Sequence, residues 1–190
     1  NSKPWENEEY AGRVTTAPVN NVSWNQCQEF LVKLNQSSGG KSGMRFALPT
    51  EAQWEYACRA ETTTKYYFGD DASKLGDYAW FYKNAFYVKK RYAHPVGKKK
   101  PNAFGLYDMH GNVWEWCQDW YGDYQSTSAI DPSGPTGGKD RVLRGGSWFS
   151  SADFCRSAHR GRGARPEGTG EPGLARPSAG LRQHGPHPAA

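Results

Sequence analysis

The chain has 190 residues, a formal charge of +5 from 24 Lys and Arg against 19 Asp and Glu, and a hydrophobic fraction of only 36% that nevertheless includes eight Trp and eleven Tyr. No apolar run approaches the roughly 18 residues of a membrane span, no charged n-region leads into an apolar stretch as in a signal peptide, and so mild a charge is not by itself a nucleic-acid footprint. What remains is one loop-rich domain built on large aromatic anchors.

The first residue is Asn1 rather than Met, so the chain is expected to be a fragment or a processed product. Ser23-Trp24-Asn25-Gln26 predicts a helix start, because a Ser hydroxyl and a Gln side chain three residues on satisfy each other's backbone N–H groups. Cys27, Phe30, Leu31 and Leu34 follow at helical spacing and predict its buried face, before Ser37-Ser38-Gly39-Gly40 ends it. A second capping box, Thr50-Glu51-Ala52-Gln53, follows Pro49 and predicts a helix burying Trp54, Ala57 and Cys58. Beyond it, short β-capable runs at Tyr66–Phe68, Tyr92–Val96 and Arg141–Leu143 lie between turns, and Ile130–Asp140, with two Pro and three Gly, reads as a long loop. The basic runs Lys89-Lys90-Arg91 and Lys98-Lys99-Lys100 suit a solvated loop, with a positive patch near Tyr87 and Tyr92 as the alternative.

The last aromatic is Phe154, whereas residues 161–190 contain seven Gly and five Pro. Such a stretch has too little apolar surface to offset its ordering entropy. The domain is therefore expected at residues 1–160 and a Gly/Pro-rich loop or disordered tail at 161–190. Cys27, Cys58, Cys117 and Cys155 are widely spaced and leave three disulfide pairings open. The pattern is α+β: two early helices, short strands and much loop.

Three segments carry more than composition. They are Leu48-Pro49-Thr50-Glu51-Ala52-Gln53-Trp54-Glu55-Tyr56-Ala57-Cys58-Arg59, then Asn102-Ala103-Phe104-Gly105-Leu106-Tyr107-Asp108-Met109-His110-Gly111-Asn112-Val113-Trp114-Glu115-Trp116, then Arg144-Gly145-Gly146-Ser147-Trp148 with Cys155-Arg156-Ser157-Ala158-His159-Arg160. In this order they resemble the formylglycine-generating enzyme (sulfatase-modifying factor) family over about residues 1–160. The resemblance implies a C-type-lectin-like fold, from which an N-terminal portion is missing. In the family's closing strand position the chain has Gly173-Leu174-Ala175-Arg176, which a truncated or frame-shifted terminus would explain.

The family's founding activity oxidises a substrate cysteine to formylglycine with O2 and a copper ion held by two thiolates. Soft thiolates suit Cu(I), but Ser150 stands where the resemblance places the first, leaving Cys155 alone as the catalytic alternative. Copper is therefore not expected. The resemblance also implies a structural contact between Cys58 and Cys155, and a calcium ion held through Asn112, Val113 and Glu115, since oxygen ligands suit that ion. Finally, the stretch Arg141–Arg160 resembles the variable region of lectin-fold proteins diversified by retroelements. Trp148, Phe149, Ser150, Ser151, Asp153, Phe154 and His159 then form a binding surface for a protein or small-molecule ligand. Nucleic acid is not expected as a partner. The leading reading is a recognition module, and the alternative an oxidoreductase acting on a substrate cysteine.

Overall fold

The computed structural model describes residues 16–37, 45–124 and 129–164. Three helices and a three-stranded antiparallel sheet give the α+β class, in the order α1 (Trp24–Ser37), α2 (Glu51–Arg59), α3 (Leu75–Tyr78), β1 (Glu115–Trp120), β2 (Asp140–Arg144) and β3 (Gly161–Ala164). No helix among the described residues is long and apolar enough to cross a membrane.

Both capping boxes form. Gln26 N–H donates to Ser23 Oγ (3.2 Å) while Ser23 N–H donates to Gln26 Oε1 (2.7 Å), and Thr50 and Gln53 repeat the exchange at α2. The face of α2 is as expected, with Trp54 and Cys58 buried and Ala57 partly so. That of α1 is not. Phe30 is 62% exposed, and the helix is anchored instead by buried Trp24, whose indole N–H reaches the Cys117 carbonyl at 3.0 Å. The period marked a stripe correctly as amphipathic, but the docking residue lies at its first turn. Helix α3 spans only four residues after a 3-10 turn and buries Leu75 alone, too short for any periodic signal.

The expected strand at Arg141–Leu143 lies within β2, but Tyr66–Phe68 makes only an isolated bridge from Tyr66 to Gly69 and Tyr92–Val96 pairs with no strand. Strand β1 falls where no strand was expected, because its stability comes from the long-range ladder to β2, with an irregularity between Trp116 and Trp120. Strand β3 occupies the first four residues of the expected tail. Its glycines are what let it pack: a Cβ on Gly163 would meet the Trp116 ring at 2.3 Å. The Gly-rich sequence therefore lies beneath tryptophans supplied by β1 and the residues just before it. The remainder of that tail, and the residues before 16, lie outside the described residues.

Two buried clusters form the core. One gathers Trp54, Cys58, Tyr67, Met109, Cys117 and Val142. The other gathers Tyr66, Leu75, Ala79, Phe81 and Cys155. His110 is fully buried, stacked on Tyr67 at 4.5 Å and edge-on to Tyr66 at 5.4 Å. Its Nε2 accepts from the Tyr67 N–H at 3.2 Å, and burial lowers its pKa to about 3, so it is neutral.

Candidate functional site

The segment 145–159 is bracketed by two arginines that share one carboxylate. Arg144, with a fully buried side chain, donates to Glu55 and to the His159 carbonyl (2.6 Å), and its Nε lies 3.6 Å from Glu51 Oε1. Arg160 grips Glu51 with two bonds, 2.6 and 2.7 Å, and donates to the Gly122 carbonyl. Bidentate guanidinium–carboxylate pairs fix geometry as well as charge. Glu51 stands at the first turn of α2, where a negative charge is favoured by the helix dipole. Both ends of the segment are thus tied to one helix terminus.

Between those ties the backbone is held from two sides. Trp148 N–H donates to the Asn112 carbonyl (2.8 Å), and Tyr82 N–H donates to the Ser150 carbonyl (2.9 Å). Ser150 is buried, and its hydroxyl accepts from Ser147 N–H at 3.0 Å and lies 3.1 Å from the Ser147 hydroxyl. It braces the turn rather than facing a ligand, which corrects its assignment to the binding surface. Phe149 is 37% exposed, Ser151 and Asp153 are exposed, and Phe154 and His159 pack edge-on at 4.8 Å beside Trp114. Burial lowers His159 to a pKa of about 4, so its imidazole is neutral at pH 7.

The structure therefore divides the expected surface into two aromatic groups. Phe154, His159 and Trp114 form one. Trp148 and Phe149 join the other, a cluster around Phe86: Trp148 is stacked on it at 6.2 Å, Phe149 edge-on at 4.7 Å, Tyr82 stacked at 5.2 Å, and the Arg91 guanidinium lies 4.3 Å over the ring. Sequence reading did not single out Tyr82 or Phe86. Their signal was available in the aromatic residues that alternate with cations over 82–92, which composition alone assigned to a solvated loop.

All four cysteines are free thiols. Cys58 and Cys155 belong to different clusters. Cys58 Sγ lies 3.9 Å from His110 Nδ1. Burial pushes its pKa to about 12, against a smaller lowering by the neighbouring Ser157 hydroxyl. Cys58 and Cys155 form no disulfide. Cys155 is fully buried, and burial raises its thiol to about 12. A buried protonated thiol with a hydroxyl engaged elsewhere is not the two-thiolate set that Cu(I) requires; the residues present do not fit that ion.

The loop from Asp108 to Glu115 lines a cavity of about 300 Å³ together with Pro18, Val96 and Tyr107. The amide of Asn112 does not serve it. Asn112 Oδ1 accepts from His94 N–H (2.9 Å) and Nδ2 donates to the His94 carbonyl (3.1 Å), so this side chain acts as a strand-like partner for the backbone. Glu115 accepts from the Trp54 indole at 2.6 Å, and burial together with the charge of Asp108 raises its pKa to about 7. Asp108, which the sequence reading overlooked, gives one oxygen to Gly97 N–H at 2.8 Å, while its buried Oδ1 has no hydrogen-bond partner. Asp108, Val113 and Glu115 line the same cavity, and carboxylate oxygens are the hard donors that calcium takes. Among the described residues no group of three or more His, Cys, Asp or Glu converges, so backbone carbonyls would have to complete any coordination.

Residues 3–174 match the family description of the sulfatase-modifying factor enzyme 1-like domain. The chain is 36% identical to the formylglycine-generating enzyme of Mus musculus over 147 residues, 73% of this chain and 37% of that protein. It is equally identical to that of Streptomyces coelicolor over 148 residues, 73% and 44% of the two chains. A serine/threonine-protein kinase pkn1 of Chlamydia caviae is 44% identical over 131 residues, 66% of this chain but 20% of that one. The chain thus spans less than half the length of these curated relatives. Among solved structures it is similar to Treponema denticola variable protein 1 (TM-score 0.71, 33% identity, 84% of this chain and 71% of that one). It is also similar to PvdO from Pseudomonas aeruginosa (TM-score 0.70, 28% identity, 82% and 59%).

Proposed function

The chain belongs to the family of the sulfatase-modifying factor enzyme 1-like domain, and on that premise we propose that it is a recognition module that binds a protein or small-molecule ligand through exposed side chains of residues 148–159. The observation that carries this reading is Ser150: where the family resemblance places a copper thiolate, this side chain is a hydroxyl, buried and bonded to Ser147, while Cys155 is sealed in the core. The frame of 145–159 is held by backbone bonds and by the paired arginines. The side chains of Phe149, Ser151 and Asp153 are exposed from that frame, and adaptable polar groups beside aromatic anchors suit a binding surface. The likeness to a variable protein supports the same reading.

Two measurements test it together. Incubated with copper, O2 and a sulfatase-motif peptide, the protein leaves the peptide cysteine unoxidised by mass spectrometry; turnover abolished by Cys155→Ala would overturn the binding-only reading. Selection from a displayed random-peptide library yields binders whose affinity falls about tenfold or more on Phe149→Ala or Phe154→Ala, in line with truncating an aromatic anchor. Failure to select any binder dependent on these residues would count against recognition.

A structural calcium ion in the cavity, held by Asp108, Glu115 and the Val113 carbonyl, is part of this proposal. Only the ionised form of Glu115 is a ligand, so the proton must leave on binding. Calorimetric calcium affinity is expected to be constant above pH 8 and to fall about tenfold per pH unit below about 7. Asp108→Asn weakens it at every pH. Affinity independent of pH, or no calcium-dependent rise in melting temperature at pH 8, would remove the ion from the account.

A further inference from the structure

From Tyr78 to Tyr107 the chain has seven Lys and Arg and no Asp or Glu. Flanking this run, Asp77 is engaged by Lys100 at 2.9 Å and Asp108 by the Gly97 N–H. Lys99 is held over the Trp80 ring at 4.0 Å, with its ammonium on the Gly76 carbonyl. The second basic run is therefore largely used internally. The first is freer: Lys89, Lys90 and Arg91 are exposed and none makes an ion pair among the described residues, although Arg91 rests over the Phe86 ring at 4.3 Å.

Those three cations lie on a built turn. Tyr87 N–H returns to the Tyr82 carbonyl (2.8 Å), Lys89 N–H to that of Phe86 (3.1 Å) and Lys90 N–H to that of Ala85 (2.9 Å). The turn is fastened to the recognition segment by Tyr82 N–H on the Ser150 carbonyl and by the Phe86 contacts with Trp148 and Phe149. Tyr87, 74% exposed, and Phe149 give this platform an apolar component. The Phe86 faces are already engaged by Tyr82, Trp148 and Arg91. An inserted nucleobase would have to displace them, whereas carboxylates need only meet the cationic edge.

The geometry points to an acidic protein segment, carboxylates interspersed with an aromatic or apolar side chain, as the partner of this platform. The inference rests on the recognition reading but enlarges its surface from residues 148–159 to include the turn 82–91. Guanidinium groups pair with carboxylates through several hydrogen bonds at once, and a single-sign patch steers an oppositely charged partner and makes binding salt-sensitive.

The test uses the full chain and defined probes: a random Glu–Tyr copolymer, a Lys–Tyr copolymer and a 20-mer of deoxythymidine, titrated by tryptophan fluorescence. The Glu–Tyr polymer is expected to bind, the Lys–Tyr polymer not to bind, and added salt to weaken the complex. Lys89→Glu with Lys90→Glu and Arg91→Glu is expected to weaken binding by about tenfold or more, since several exposed pairs are reversed at once. Near-UV circular dichroism and the melting temperature report whether that variant keeps the fold. Loss of binding with an intact fold supports the proposal. Should the variant unfold, Lys89→Ala alone, with its fold intact, serves with the expectation of a smaller loss and a shallower salt dependence. Copolymer binding indifferent to these changes, or tighter binding of the oligonucleotide, would overturn it. If library peptides still bind through Phe149 and Phe154 while the acidic copolymer does not, the acidic partner falls and recognition stands. If neither binds, both fall.

Discussion

Arg144→Met is expected to lower the unfolding free energy by about 3–5 kcal/mol, the range seen when one partner of a buried ion pair is removed. Arg144 is 0% exposed and is held between Glu55 and Glu51. Removing the guanidinium leaves Glu55 with Arg59 alone and withdraws the donor that holds the His159 carbonyl. Arg160 still neutralises Glu51, so the loss should concentrate on Glu55 and on the C-terminal end of the segment 145–159. Urea denaturation checks the magnitude. Adding Glu55→Gln to Arg144→Met is expected to recover part of the loss, because a half-buried neutral amide costs less to leave without this partner than a carboxylate. A loss below about 1 kcal/mol, typical of an exposed pair, would mean that the bracket around the recognition segment does not depend on this arginine. Glu55 keeps a second cation, Arg59, at 2.8 Å, so it is not wholly abandoned.

Gly111→Ala is the second severe change. Gly111 has φ +73° and forms a parallel bridge with Trp80. A Cβ there would lie 2.1 Å from the Trp80 carbonyl oxygen, which is backbone and cannot swing aside. The left-handed φ adds roughly 1–2 kcal/mol for an alanine, and the clash adds to it. The expected result is a loss of about 3 kcal/mol or more, or an insoluble product. Calcium-dependent stabilisation, if the ion binds, should disappear with it, because Gly111 sets the path of the chain from Asp108 to Glu115. Gly137→Ala is the control: no atom lies within 4 Å of its added Cβ. Equal melting temperatures for the two variants would show that the Gly111 backbone can yield.

How much was legible in the sequence differs by the range of the interactions involved. Both capping boxes are four-residue signals, and both form as read. The face of α2 follows because Trp54 and Cys58 meet a core on the side their period indicates. Phe30 on α1 has the same period, but what docks α1 is an indole bonded to a carbonyl 93 residues away, which no local window contains. Strand β1 was missed for the same reason, and β3 because a Gly-rich string carries no strand signal until Trp114 and Trp116 cover it. Among the site residues, Phe149, Ser151 and Asp153 lie at the surface. Ser150 and Asn112 were assigned to ligand contact by the family resemblance. The structure directs both hydrogen-bonding groups to backbone or to a neighbouring serine instead. Asp108 was overlooked because an isolated carboxylate in a loop is common, and only the fold brings it beside Glu115.

Asn112 has one further implication, for the order in which the molecule assembles. Its N–H is held by Trp80, its carbonyl by Trp148 and its amide by His94. These partners stand 32, 36 and 18 residues away, so none of the bonds can be made by a nascent turn. Each requires loops to close before any stabilisation is gained, a burden that slows folding. The two capped helices can flicker into existence early, whereas this junction forms only when four distant stretches have converged. The junction that holds the segment 145–159 is therefore expected to acquire its shape late in folding. A newly made chain would pass through a stage that is partly helical while this segment is still unformed.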